Sequence, residues 1–188
     1  MSEFYSPAED SYFLHDILNK ELPKLLEKNK DLKLFEMGGG SGINLKTALN
    51  LGIKKQNIFS SDINPEAVKK CKKLGFNCVE SDLFEKGDAN SPPAHPEKYD
   101  IIIFNPPYLP LDKKEPKDSR IATTGGKKGS EVINRFLKQA KKYLEDEGRI
   151  FLLVSSKTQG IDFLNYKKKI LGKKKLFFEE LIVWELKA

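Results

Sequence analysis

The chain has 188 residues, 39% hydrophobic and 10% aromatic, with a net charge of +6. That is the length of one domain, with enough apolar surface to build a core without disulfides or metals. Its longest apolar runs, residues 101–104 and 150–154, fall far short of the ~18 residues of a membrane span, and its acidic, aromatic start is unlike a signal peptide, so a cytoplasmic protein is expected.

Two cysteines, Cys71 and Cys78, and two histidines, His15 and His95, offer no zinc-ligand spacing, and no metal site is expected. Both cysteines read as small buried hydrophobes. Lysine supplies nearly all of the positive charge, clustered at 127–128, 141–142, 167–169 and 173–175. Such a balance suits an anionic macromolecular or ribosome-associated partner, and equally a lysine-biased solvated surface.

In chain order, Ser6, Pro7 and Glu9 make a capping box for a first helix whose buried stripe is Tyr12, Phe13, Ile17 and Leu18. A strand over 33–37 ends in a glycine cluster, and a helix runs from there to about Asn50, stopped by Gly52. A second strand covers 57–62. Asn64 and Pro65 start a helix that ends at Gly75, and 76–81 is the third strand. Residues 84–98 are Pro-rich and irregular, strand four is 99–104, and 105–129 is a long loop, a feature that is usually functional in a compact domain. Ser130 caps a helix carrying Val132, Ile133, Phe136, Leu137 and Ala140, and Gly148 stops it before strand five at 149–155. A shorter helix and a C-terminal pair of strands, ending at 181–186, complete an α/β pattern with a mostly parallel sheet.

Three successive strand ends carry chemistry. Glu36-Met37-Gly38-Gly39-Gly40-Ser41-Gly42 lies at a strand-to-helix turn, where glycines admit close ligand approach and the helix offers free N–H groups. It is not the dinucleotide fingerprint, since Ile43 stands where the third glycine belongs. Asp62 ends strand two, where an acid can hold both ribose hydroxyls. Asp82 follows strand three, placed to accept from an adenine amino group. Strand four then enters Asn105-Pro106-Pro107-Tyr108. The prolines fix an extended path, the Asn oxygen and a proline carbonyl are acceptors, and the Tyr is a flat wall. Two acceptors and an aromatic face suit an NH2 group on a planar carrier, a carboxamide or a nucleobase.

With these residues the chain resembles the class I S-adenosylmethionine-dependent methyltransferases, and more narrowly the eukaryotic and archaeal branch of the HemK-like release factor glutamine methyltransferases. Besides the glycine turn and Asn-Pro-Pro-Tyr, the resemblance rests on Tyr5-Ser6-Pro7-Ala8-Glu9-Asp10-Ser11 and Gly125-Gly126-Lys127-Lys128-Gly129-Ser130-Glu131-Val132. The ending Lys175-Leu176-Phe177-Phe178-Glu179-Glu180-Leu181 also looks like archaeal members. It implies a Rossmann-like fold with a mostly parallel seven-stranded sheet and helices on both faces. It also implies one domain over 1–188, with 1–30 a helical cap over the cofactor site and 31–188 the catalytic core. S-adenosylmethionine would meet Ser11, Glu36, Gly38, Gly40, Asp62, Asp82, Leu83 and Asn105. Asn105, Pro106, Pro107 and Tyr108 would grip the glutamine of the Gly-Gly-Gln motif of a class I release factor in translation termination. The chain departs from relatives at Gly39, often Cys, Thr or Ser, and before Gly125-Gly126, where Thr123-Thr124 stands and relatives often have an aromatic. The stretch 157–175 is short for a helix plus a strand.

Relatives in this branch often need a small zinc-binding activator subunit that extends the sheet. In the class I strand order the third strand is an edge, and here Phe76, Cys78 and Val79 make it apolar with no proline or lysine to guard it. Other readings remain at this point. The same grip serves a nucleic-acid amino-methyltransferase acting on adenine or guanine, or a protein lysine methyltransferase. A non-catalytic cofactor-binding module would not need the tetrapeptide.

Overall fold

The computed structural model describes residues 9–85, 98–112 and 123–188. Among the described residues, four helices, α1 (Glu9–Leu26), α2 (Ile43–Asn50), α3 (Pro65–Lys73) and α4 (Glu131–Ala140), surround seven strands. The strands are β1 (Leu34–Met37), β2 (Ile58–Asp62), β3 (Asn77–Glu80), β4 (Tyr99–Phe104), β5 (Leu144–Ser155), β6 (Lys167–Lys175) and β7 (Glu180–Lys187). They form one sheet in the order β3-β2-β1-β4-β5-β7-β6. All pairs among the first five are parallel, and β7 alone runs antiparallel to its neighbours β5 and β6. The expected mostly parallel seven-stranded sheet is therefore present, with β3 at its edge.

The near-continuous apolar strands are read off as two cores because side chains alternate across a sheet. One face carries Leu34, Ile58, Ile101, Ile103, Phe151 and Leu153 against α1, α2 and α3. The other carries Phe35, Met37, Ile102, Phe104, Ile150 and Leu152 against Ile133, Phe136 and Leu137 of α4. α1 rests on α2 and on β6 and β7 through Phe13, Leu14, Ile17 and Leu18. Its capping residues Ser6 and Pro7 lie outside the described residues. Cys71 and Cys78 are buried and free, as small core side chains.

Three local expectations are corrected. Ser130 sits at the N-cap of α4 but its hydroxyl makes no capping bond. The Gly125 carbonyl instead accepts from Glu131 and Val132 N–H at 3.1 and 3.3 Å. α4 ends at Ala140 in a 3-10 turn, Lys141–Tyr143, and β5 begins at Leu144, so Gly148 lies inside the strand. It closes a bulge, since Tyr99 pairs with Leu144 and Ile101 with Arg149. No helix forms between β5 and β6. Asn134 ties that stretch to α4 by donating to the Gly160 carbonyl at 3.0 Å and accepting from Asp162 N–H at 2.9 Å. Gly160 and Leu164 are both left-handed, and the side chain of Asp162 accepts from Leu164 N–H.

Leu18 is fully buried where α1 meets the sheet. Leu18→Ala should cost about 2–5 kcal/mol of stability through lost burial and a cavity, read by urea unfolding. An unchanged midpoint would mean that α1 does not share the core.

Candidate active site

The glycine turn is built by backbone positions that side chains resist. Gly38, Gly40 and Gly42 have φ of 72, 47 and 76°, the left-handed region that glycine enters without penalty. Gly38 and Gly39 N–H both donate to the Ser61 carbonyl, at 2.8 and 3.0 Å, which pins the turn to β2. A Cβ on Gly39 would lie 2.4 Å from Ser60 Oγ and 3.1 Å from Cys71 Sγ. The glycine at this position thus matches the closeness of α3 and β2 beneath it.

Under the turn, Glu36 is buried. Its Oε1 accepts from Asn44 Nδ2 at 2.7 Å, while Glu36 Oε2 and Asn44 Oδ1 have no partner. Burial holds the Glu36 carboxyl well above the usual carboxylate range, against the lowering effect of the Asn44 bond. Asp62 lies beside it at the end of β2, its two oxygens accepting from Gly40 and Asn64 N–H, each at 2.9 Å. Burial raises its pKa and those backbone bonds oppose the rise. Asp82 sits half-exposed after β3, with Oδ2 accepting from Arg135 Nη2 at 2.8 Å. A carboxylate has about four lone-pair sites, so this ion pair leaves acceptor capacity on Asp82. Leu83 is buried with φ 56°, a conformation uncommon without glycine and typical of functional loops.

β4 delivers Asn105 next to Gly38, because Phe104 pairs with Met37 across the parallel ladder. A residue not singled out from sequence governs it. Asp10, buried in the first turn of α1, accepts from Asn105 Nδ2 at 3.1 Å and from the Tyr108 hydroxyl at 3.4 Å. A carboxylate only accepts, so the Asn105 amide must turn its NH2 to Asp10 and its oxygen away. That oxygen is buried and has no partner. Ser11 is buried beside Asp10, its N–H donating to Asp10 Oδ1 at 2.6 Å. The signal for Asp10 in the sequence was its place in the 5–11 stretch that carries the resemblance, which assigned it no role.

The Gly125–Gly129 stretch holds the tetrapeptide from behind. A Cβ on Gly125 would lie 2.3 Å from the Pro107 carbonyl oxygen, and one on Gly129, at φ 83°, 2.3 Å from that of Tyr108. Leu109 N–H donates to Thr123, Gly125 N–H to Leu109 and Leu111 N–H to Gly126. Thr158 Oγ1 adds a bond to the Tyr108 carbonyl at 2.8 Å.

Glu36, Asn44 and Asn105 thus present buried acceptors without donors around the ends of β1 and β4. Such groups are costly unless a ligand supplies the donors. A molecule with a cationic amine and a hydroxylated sugar fits that demand, and S-adenosylmethionine carries both. Among the described residues no cluster of His, Cys, Asp and Glu could hold a metal ion.

Because the folded chain favours protonated Glu36, it binds more protons than the unfolded chain above the ordinary glutamate pKa of about 4.3. Ligand-free stability should then fall as pH rises from that value through the raised folded one. Glu36→Gln should shrink this fall to the part that Asp62, whose pKa burial also raises, contributes, and make the ligand-free chain more stable than the wild type at pH 7. Urea unfolding at a series of pH values checks this, and parallel curves for the two proteins would refute it.

The sequence matches the family described as "Methyltransferase small domain" over residues 15–175. A chain of Methanocaldococcus jannaschii to which protein N5-glutamine methyltransferase activity is ascribed is 37% identical, over 98% of this chain and 93% of its own. Methyltransferase HEMK2 of Homo sapiens is 32% identical over 89% of this chain and 78% of its own. The structure of the E. cuniculi Mtq2–Trm112 complex, which methylates the translation termination factor eRF1, superposes with a TM-score of 0.67 at 26% identity, covering 98% of each chain. The chain therefore belongs to the small-domain methyltransferase family, on the branch of the protein N5-glutamine methyltransferases.

Proposed function

We propose that this chain is an S-adenosylmethionine-dependent N-methyltransferase acting on the side-chain amide of the Gly-Gly-Gln glutamine in a class I peptide-chain release factor. The carrying observation is the buried, unpartnered Asn105 Oδ1, aimed by Asp10. The relatives' ascribed activity supports the choice of glutamine. A ribosome-associated substrate fits a cytoplasmic setting for the reaction.

Asp62 serves the ribose hydroxyls, and Asp82 and Leu83 the adenine. Glu36, with Gly38 and Gly40 above it, meets the amino-acid end, and Ser11 closes that end from α1. Residues 1–30 thereby act as the cap and 31–188 as the core. When bound, S-adenosylmethionine supplies a methyl group already activated by its sulfonium. The difficulty lies with the amide nitrogen, whose lone pair is delocalised. Asn105 Oδ1 and the Pro106 carbonyl each accept one amide N–H, which fixes the plane of the amide and favours the positive charge that develops on nitrogen. Tyr108 lies against the amide plane, its hydroxyl tied to Asp10. The N-methylated amide is strongly acidic and releases its extra proton to water, so no histidine is needed. His15 is engaged elsewhere, with Thr47 Oγ1 at 2.7 Å and Asn19 at 2.9 Å.

The edge of β3 is the seat of an activator subunit that adds a strand. Phe76 and Cys78 are buried within the chain, and Val79 is half-buried. A cavity of about 340 Å³ opens along the strand, lined by Phe59, Ser60, Lys72, Phe76, Asn77, Cys78 and Val79. α1, which rests on α2, β6 and β7, lies towards the other end of the sheet.

Incubation with methyl-labelled S-adenosylmethionine and separate release factor, tRNA, rRNA and DNA tests the acceptor. Label should enter the release factor at the Gly-Gly-Gln glutamine, and label in nucleic acid alone would overturn the reading. Asn105→Ala should lower kcat by ~10²–10³ while cofactor affinity, read by calorimetry, changes far less. Asp10→Ala should also lower kcat, because the amide is then free to flip. Near wild-type turnover in both would refute the grip. Val79→Lys should abolish stimulation by a candidate activator without altering cofactor affinity, and retained stimulation would move the activator off β3.

A further inference from the structure

The tip of the β6–β7 hairpin carries two adjacent phenylalanines, Phe177 and Phe178, that are 97% and 82% exposed. Leu176 N–H donates to the Glu179 carbonyl at 2.8 Å, which leaves these two residues as the turn. Tight hairpin turns normally use glycine, asparagine or aspartate. Two phenylalanines there break a local rule while burying almost none of their surface inside the chain, and such breaks concentrate at functional sites. The rings lie 5.6 Å apart as one apolar knob.

The tip stands on the side of the sheet where substrate must arrive. Ser155 at the end of β5 pairs with Leu181, and Lys175 pairs with Glu180. Phe104 pairs with Leu152, so β5 continues three residues past the level of Phe104, a rise of about 10 Å. β7 is two strands from β4, a lateral offset of roughly 10 Å. The knob therefore stands beside and above the Asn-Pro-Pro-Tyr segment.

It is also tied to that segment. The Glu179 carboxylate accepts from Ser155 Oγ, and Ser156 N–H donates to the Glu180 carbonyl at 2.8 Å. Lys157 Nζ lies 5.9 Å from the Phe178 ring, and the next residue, Thr158, bonds the Tyr108 carbonyl. On the other flank Lys174 is ion-paired with Glu9, the neighbour of Asp10. The knob is continuous with the site and fringed by Lys157, Lys173, Lys174 and Lys175. β3, the proposed activator edge, is at the opposite end of the sheet.

We propose that Phe177 and Phe178 dock the methyl-acceptor protein, entering an apolar depression with acidic residues at its margin, beside the loop that presents the glutamine. This rests on the functional reading above and adds where the acceptor protein is held.

The test uses the double variant Phe177→Ser/Phe178→Ser with a full-length class I release factor. KM should rise about tenfold, the scale of losing a small apolar anchor, with kcat and S-adenosylmethionine affinity unchanged. Affinity for a release factor whose Gly-Gly-Gln glutamine is replaced by alanine, read by calorimetry, should weaken by the same factor. Phe177→Leu/Phe178→Leu should recover most of both. Unchanged KM and affinity overturn the inference while leaving the functional reading intact. A matched fall in kcat also overturns it, by placing the rings in the catalytic cleft. So does self-association of the wild type that the serine variant abolishes without raising KM. A wild type that neither binds nor methylates the release factor overturns the functional reading, and this inference with it.

Discussion

A buried carboxylate that can only accept sets the orientation of the whole site. Asp10 comes from the first turn of α1, yet its partners, Asn105 and Tyr108, lie at the far end of β4. The pair of bonds joins the first helix to the central strand. It also determines which atom of a symmetric-looking amide faces the ligand. Without Asp10 the Asn105 side chain could present nitrogen or oxygen at similar cost, and only the oxygen accepts from an amide. The packing of Leu14, Leu18 and Leu22 into the sheet core is thus what holds a hydrogen-bond acceptor in register with the substrate.

The opposite side of the tetrapeptide is fixed by absence of side chains. Gly125 and Gly129 let two stretches of backbone approach to distances at which any Cβ would collide with a carbonyl oxygen. The proline rings fix φ at Pro106 and Pro107, and the close approach of Gly125 leaves the Pro107 carbonyl no room to shift towards it. Preorganisation here comes from a carboxylate in front, glycines behind and a proline pair between. That matters for an acceptor as weak as an amide nitrogen, because the catalytic gain comes from groups already in place when charge develops.

Much of this was legible in the sequence. The strands 33–37, 57–62 and 99–104 announced themselves by apolar runs ending in glycine or acid, and Asn64 caps α3 as its sequence suggests, accepting from Glu66 N–H at 3.0 Å. The apolar third strand at the sheet edge was also readable. What failed depended on tertiary detail. The resemblance implies a role for Ser11 and none for Asp10, and a helical period assigns a face without saying which polar residue reaches a distant loop. The C-terminal pair of strands was expected, but the lysine-rich 167–175 has neither helical nor strand alternation, so the bounds of its first strand are set by pairing with β7 and by the register shift between Ile170 and Gly172. Arg135 as a partner for Asp82 bridges residues far apart in sequence, which no local pattern shows.

The two edges of the sheet resolve how the positive charge should be read. β6 is the outer strand at one end and carries six of the chain's lysines, at 167–169 and 173–175. Lysine on an exposed edge discourages pairing with another strand, because a second chain would have to desolvate each ammonium. β3, at the other end, has no lysine. A chain that guards one edge so heavily and leaves the other open directs strand addition to β3. The charge clusters therefore divide by position. Lys167, Lys168 and Lys169 keep the edge unpaired, while Lys173, Lys174 and Lys175 also stand at the β6–β7 tip, where an acidic partner surface would meet them. The net charge of +6 then needs no nucleic-acid ligand to account for it.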